Sequence, residues 1–269
     1  MAPGAYDVWS ARLVQRHGFT AIYMSGYCAS ASLLGMPDLG LITGNEMADQ
    51  LRRIGAATTI PVIADGDTGF GGPLNVVRTV RDYIAANAAA IQIEDQLSPK
   101  RCGHMEDKQV VQTSEMIERL HAAVEARGED SLVIIARTDA RATHGLDEAI
   151  RRAERYSAAG ADVLFLEAPR SLEEMRLIRE ALPGAKLMAN MVEGGKTPYC
   201  TADELQSMGF AIAIYPATLL FAATHAIEAA LREIRSTGRI NATALATFPQ
   251  FNAVMGLDEY NELAVRLKA

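Results

Sequence analysis

Seven short apolar runs without internal polar alternation recur along the chain: "TAIYMS" (20–25), "PVIADGD" (61–67), "AIQIED" (90–95), "SLVIIART" (131–138), "ADVLFLE" (161–167), "AKLMAN" (185–190) and "AIAIY" (211–215). Many of their positions are β-branched, as parallel strands covered on both faces require. Between them lie stretches of helical period, among them "GNEMADQLRRIGAAT", "TSEMIERLHAAVEA" and "GLDEAIRRAERYSAAG", the last closed by Gly160 as a C-cap. Strands alternating with helices predict a parallel sheet. Seven strands are awkward for an open doubly wound sheet and one short of a barrel. A helical pattern, "YDVWSARLVQRHG", precedes the first run, so another strand is expected before it, and only "MAPGA" stands there. The expected fold is therefore α/β, a (β/α)8 TIM-type barrel whose first strand is cut to a stub. No linker, repeat or low-complexity segment divides residues 1–269, which read as one barrel domain. Beyond 237 the pattern predicts a C-terminal extension (237–269) of one or two short helices, packed outside the barrel or on a neighbour. The most apolar stretch, "FAIAIYPATLLFAA" (210–223), contains Pro216 and is shorter than the roughly 20 residues of a membrane span. It reads as a buried strand entering a buried helix.

Composition narrows the classes. A chain of 269 residues, 49% apolar, suits one large core, and α/β barrels use about 250 residues as a single domain. The net charge of −7, with no run of lysine and arginine, argues against a nucleic-acid partner. Three widely spaced cysteines, Cys28, Cys102 and Cys200, give neither a disulfide framework nor metal-site spacing. Reduced thiols in a cytoplasmic protein are expected, with no secretory signal pattern and no membrane partner.

The polar residues fall at the strand ends: Ser25; Asp65 and Asp67; Glu94 and Asp95; Arg137 and Asp139; Glu167; Asn190. An acid taken singly serves equally well to cap a helix or make a turn. In a barrel, however, these ends form the rim that carries the active site. In "DGDTGFGG" two carboxylates two residues apart on an extended chain face one side. Hard oxygen donors without histidine or cysteine suit Mg²⁺, or Mn²⁺, rather than zinc. Asp65 is the first choice of ligand, with Asp67, Glu94 and Asp38 of "GMPDLG" around it. A cation there would anchor an anionic substrate on an acidic protein. "PKRCGHMEDK" (99–108) sets Cys102 among Lys100, Arg101 and His104, surroundings that favour a reactive thiol over a buried inert one. Cys28 and Cys200 have no such neighbours and read as core packing or pocket lining. His17, His121, His144 and His225 read as structural.

Taken together, "YMSGYCASASLLGMPDLG", "IADGDTGFGGPLNVVRTV", "IQIEDQLSPKRCGH", "IIARTDA", "FLEAP" and "MANMVEGGKTP" resemble the isocitrate lyase and phosphoenolpyruvate mutase superfamily. The likeness runs from Pro3 to about residue 260, and "KRCGH" is its most specific part. It implies a barrel with bound Mg²⁺, small di- or tricarboxylate substrates, and a homotetramer in which the last barrel helix is exchanged between paired subunits. Carried over by position, Tyr23, Ser25, Gly26, Tyr27, Arg101, Gly103, Asn190 and Pro216 contact substrate. Asp38, Asp65, Asp67 and Glu94 form the metal shell. Lys100, Cys102, His104, Arg137 and Glu167 are catalytic, with residues 100–104 on a mobile gating loop. One departure is the lack of the helix and full strand that members usually carry before "PGAYD".

The chemistry explains the thiol. Cleaving a 2-hydroxy dicarboxylate between C2 and C3 leaves an enediolate that must be protonated on carbon, and a thiol of ordinary pKa about 8.5 is a suitable acid near neutral pH. Cys102 argues against the phosphonomutase and decarboxylase branches. "CGHMEDK" and "EGGKTP" look closest to 2-alkylmalate lyases and petal-death-type enzymes, where methylisocitrate lyases tend to read "CGHR" and "EFGATP". Pro216, where oxaloacetate hydrolases tend to carry serine, leans to lyase. The expectation is a Mg²⁺-dependent carbon–carbon lyase giving pyruvate or a related α-ketoacid. The alternatives are an oxaloacetate hydrolase and a catalytically silent α-ketoacid-binding barrel.

Overall fold

The computed structural model describes residues 1–103, 107–241, 243 and 245–268. Eight strands, all parallel, form one sheet: β1 (Ala2–Pro3), β2 (Ile22–Met24), β3 (Val62–Asp65), β4 (Ala90–Glu94), β5 (Val133–Thr138), β6 (Val163–Leu166), β7 (Leu187–Asn190) and β8 (Phe210–Tyr215). The spatial order is β1-β8-β7-β6-β5-β4-β3-β2, so each strand lies beside its sequence neighbour and β1 returns to β8. The expected stub is β1. Its two residues pair with Ile214 and Tyr215, while Gly4 bridges to Tyr23 and the Ala5 N–H donates to Tyr23 O at 2.9 Å. The seam of the (β/α)8 barrel thus closes through one short strand. Gly4 is required there, since a Cβ would stand 2.1 Å from the carbonyl oxygen of Pro216.

Helices α1 (Val8–Arg16), α2 (Gly26–Ala29), α3 (Gly44–Ala57), α4 (Pro73–Ala85), α5 (Thr113–Arg127), α6 (Ala140–Thr143), α7 (Leu146–Ala158), α8 (Leu172–Ala181) and α9 (Ala202–Ser207) connect the strands. Several starts are fixed by reciprocal side-chain caps, Asp7 with Ser10, Thr43 with Glu46 and Thr201 with Glu204, which satisfy amides left unpaired at a helix N-terminus. Alternation along the strands divides the apolar residues into two layers. Ile91, Ile93, Ile134, Ala136, Leu164 and Leu166 face the helices, whereas Tyr23, Ile63, Ala90, Ile135, Val163, Phe165, Met188 and Ile214 fill the barrel interior.

After β8 the long helix α10 (Thr218–Thr237) departs from expectation, because none of its twenty residues is buried. The apolar run does enter a helix, but only its first turn packs on this barrel, through Leu219 and Leu220, while Ile227, Leu231 and Ile234 further along are exposed. Two further helices follow, α11 (Phe248–Met255) and α12 (Leu257–Arg266), and Arg12 of α1 donates to Val254 O at 3.3 Å. Among the described residues no helix is long and apolar enough to cross a membrane.

Candidate active site

The two-residue repeat that fills the barrel interior also builds the site. Continuing each inward column by one step gives Ser25 after Tyr23, Asp65 after Ile63, Glu94 after Gln92, Arg137 after Ile135, Glu167 after Phe165, Asn190 after Met188 and Pro216 after Ile214. Each polar group therefore sits on top of the core at the C-terminal rim. There a cleft of about 240 Å³ is lined by all of these residues together with Tyr23, Tyr27, Asp38, Lys100, Arg101, Cys102 and Gly103.

The acids gather on one side. The Gly26 N–H donates to Asp65 Oδ2 at 3.1 Å, and the Asp67 N–H and Gln92 Nε2 donate to Asp65 Oδ1 at 3.1 and 3.3 Å. Tyr23 OH in turn donates to Gln92 Oε1 at 3.0 Å, so Asp65 is oriented from the barrel interior. The chain is not extended beyond Asp65: Asp67 has φ 47° in a turn closed by Gly69 N–H on Gly66 O. The two carboxylates converge nevertheless. Asp65 Oδ2 and Asp67 Oδ1 both lie 3.1 Å from the point where a side chain on Gly26 would begin. Lys100 Nζ pairs with Asp38 Oδ1 at 2.6 Å and Asp67 Oδ1 at 2.7 Å, with its side chain 5% exposed. Burial alone would strip its proton, but Asp67, Asp38, Glu94 and Asp65 keep it firmly charged.

The other side is organised by Arg137, whose guanidinium lies 5.3 Å over the Phe165 ring. Its Nε approaches Glu94 Oε2 at 3.2 Å and its Nη2 approaches Glu167 Oε2 at 3.4 Å. Asn190 Nδ2 donates to the same Glu167 oxygen at 3.2 Å. Gly103 is pressed onto this pair, for a Cβ would meet Arg137 Nη2 at 2.2 Å and Glu167 Cγ at 2.8 Å. Cys102, half-buried and next to Gly103 in sequence, lines the cleft. Cys28 and Cys200 are buried; burial pushes the Cys28 thiol up to about 12, and its Sγ donates to Pro216 O at 3.2 Å.

Among the described residues no three His, Cys, Asp or Glu side chains are spaced as a ready chelate, since Lys100 lies between Asp38 and Asp67. The donor set nonetheless fits a hard divalent cation. Burial, aided by Asp65 and Asp38, pushes Asp67 up to about 7 despite Lys100, and burial also raises Glu94 well above the carboxylate range. Glu94 Oε1 is buried without a hydrogen-bond partner. Crowded carboxylates of raised proton affinity are short of positive charge, which a divalent cation would supply.

Of the sequence-assigned residues, Gly26 and Asp67 lie just behind the cleft wall, touching it through Asp65 and Lys100. His104 lies outside the described residues. Val192, Glu193, Gly194, Ala217 and Phe221 also line the cleft and were not singled out. Phe221 packs edge-on against Tyr27 with ring centres 6.2 Å apart. A phenylalanine on a helical face carries no sequence signal that separates it from core.

The profile of the phosphoenolpyruvate phosphomutase family matches residues 1–235. The 2,3-dimethylmalate lyase of Eubacterium barkeri is 47% identical over 266 residues, covering 98% of this chain and 91% of that protein. An oxaloacetate acetylhydrolase solved with the inhibitor 3,3-difluorooxalacetate superposes with TM-score 0.96 at 38% identity, over 100% of this chain and 92% of that one. A phosphonopyruvate hydrolase solved with oxalate and Mg²⁺ superposes with TM-score 0.89 at 30% identity, over 100% and 94%.

Proposed function

The chain belongs to the phosphoenolpyruvate mutase and isocitrate lyase superfamily, as a carbon–carbon lyase, and from that premise we propose that it cleaves a 2-hydroxy, alkyl-substituted dicarboxylate to pyruvate or a close α-ketoacid and a second carboxylate. The observation that carries this choice is the lining of the cleft. Besides the acids and Arg137 the lining includes Tyr27, Val192 and Ala217, which pack in one apolar cluster, with Pro216 and Phe221 beside them, and these give an apolar wall suited to an alkyl group. A 2,3-dimethylmalate lyase among the relatives supports the same substrate class.

Asp65, Asp67, Asp38 and Glu94 would hold a magnesium ion, which when bound polarises the oxygen that becomes the ketone. Arg137, held by Glu94 and Glu167, orients the substrate carboxylate. A base at the rim accepts the C2 hydroxyl proton. As C2 becomes a carbonyl the C2–C3 bond breaks, and its electron pair passes to C3 as the enediolate of the departing carboxylate. The Cys102 thiol then delivers its proton to C3.

A pyruvate-coupled assay across alkylmalates, methylisocitrate and oxaloacetate tests the proposal. Turnover of an alkylmalate at least about tenfold above oxaloacetate, a discrimination of the size one or two methyl groups supply, is expected. Oxalate and acetate as the main products would replace it with the hydrolase. Mg²⁺ and oxalate binding without turnover of any substrate would leave a silent binding barrel.

A further inference from the structure

Arg137 is held from behind. Asp139 accepts from its Nε at 2.9 Å and from its Nη2 at 3.1 Å. The Oδ1 that takes the second of these bonds also accepts from Lys108 Nζ at 2.7 Å. The same ammonium donates to the main-chain carbonyl of Gly103, the residue that follows Cys102. The Lys108 side chain is 1% exposed. Burying an ammonium carries a desolvation cost that an apolar side chain would avoid. The contact that repays this is unusual in kind: one charge spans the segment carrying the sulfur and the end of β5 carrying the guanidinium. Gly103, lying on Arg137 and Glu167, cannot shift toward them, and the bond from Lys108 keeps it from lifting away.

We propose that Lys108 is a positioning residue for proton delivery, whose ammonium ties the Gly103 carbonyl to Asp139 and so fixes Cys102 against Arg137 and Glu167. This rests on Cys102 as the carbon acid. A lysine that merely neutralised Asp139 would govern stability and leave the sulfur's position unchanged.

Alkylation separates the two roles without turnover. Iodoacetamide labelling of Cys102, followed by peptide mass mapping with saturating oxalate and Mg²⁺, reads how firmly the sulfur is docked. Lys108→Met is expected to speed labelling about tenfold, as loss of one charge-assisted hydrogen bond implies. It should lower kcat about a hundredfold, with KM changed less than about threefold, because misplacing a reacting group costs rate rather than binding. Lys108→Arg, which keeps the charge and its donors, should recover a measurable part of both, and Lys108→Gln, which lacks the charge, takes the place of the methionine variant if that does not fold. Labelling and kcat within about twofold of the parent in Lys108→Met, or in Lys108→Gln if only that variant folds, would overturn the proposal; so would a fall in melting temperature with labelling unchanged. Full activity in Cys102→Ser would instead remove the acid, while the labelling result would still decide what Lys108 holds.

Discussion

Burial alone would raise the proton affinity of Asp139, yet Arg137 and Lys108, both bonded to it, hold its carboxyl well below the usual carboxylate range. A group whose folded pKa is depressed gives stability above its unfolded value, near 3.9, that is lost as pH falls through the folded one. Asp139→Asn should therefore destabilise the protein by roughly 3 kcal/mol at pH 7, leaving two buried cations short of a partner. The gap from the parent should narrow steadily below pH 4; urea unfolding at pH 7 and pH 3 measures it, and an equal gap at both would contradict the assignment. Cys102→Ser carries the chemical prediction: kcat lower by about a hundredfold or more, the scale of one general acid, with Mg²⁺ and oxalate affinity by calorimetry unchanged within about threefold. At this scale the sequence was readable as far as position goes: Cys102, Asp38, Asp65 and Glu94, singled out by type and spacing, line one cleft. Asp139 was visible as a strand-end acid, but its partner Lys108 lies thirty-one residues away in another loop, and nothing in linear spacing joins the two.

At the scale of elements, one rule did most of the work. A strand places alternate side chains on opposite faces, so an inward column that is apolar for three or four residues and then polar marks both the barrel interior and its rim. That is why the strands and the rim position of the acids are legible in the sequence. The limits of the rule are equally physical. It assumes extended chain, and the chain turns left-handed at Asp67 (φ 47°), so convergence with Asp65 depends on the turn and on Gly26 opposite. A methyl group at 26 would stand 3.1 Å from both carboxylate oxygens and push them apart. Gly26→Ala is accordingly expected to weaken Mg²⁺ binding about tenfold, as loss of second-sphere order at a metal does, with melting temperature little altered. The seam makes the opposite case. Gly4 has no ligand to serve, but its backbone lies against Pro216 where β1 meets β8. Gly4→Val should cost roughly 3 kcal/mol by forcing that contact open, read as a melting temperature some 6–12 °C lower.

Helix α10 follows β8, where a barrel's last helix should cover the sheet, yet it buries no residue and presents Ile227, Leu231 and Ile234 at 58%, 60% and 46% exposure. Beside its base an apolar groove of about 590 Å³ is lined by Trp9, Leu13 and Phe19 from the α1 side and by Leu219, Ala222 and Ala226 of α10 itself. Twenty helical residues span about 30 Å, and an isolated apolar face of that length is costly in water. A second copy offers both the same helix and the same groove, so a two-fold pair can exchange α10 and cover each barrel with the other's helix. The sequence resemblance implies this exchange within a homotetramer, and the bare apolar face of α10 accords with it. The consequence reaches the site, because Phe221 and Thr218, in the first turn of α10, touch Tyr27 at the apolar wall and Glu193 beside it. Replacing Ile227 and Leu231 together by glutamate should yield monomers by light scattering, with KM for an alkylated substrate raised about tenfold as that wall loosens. A double variant that kept the parent's assembly state, or monomers with the parent's KM, would separate assembly from the site and return α10 to a purely local role.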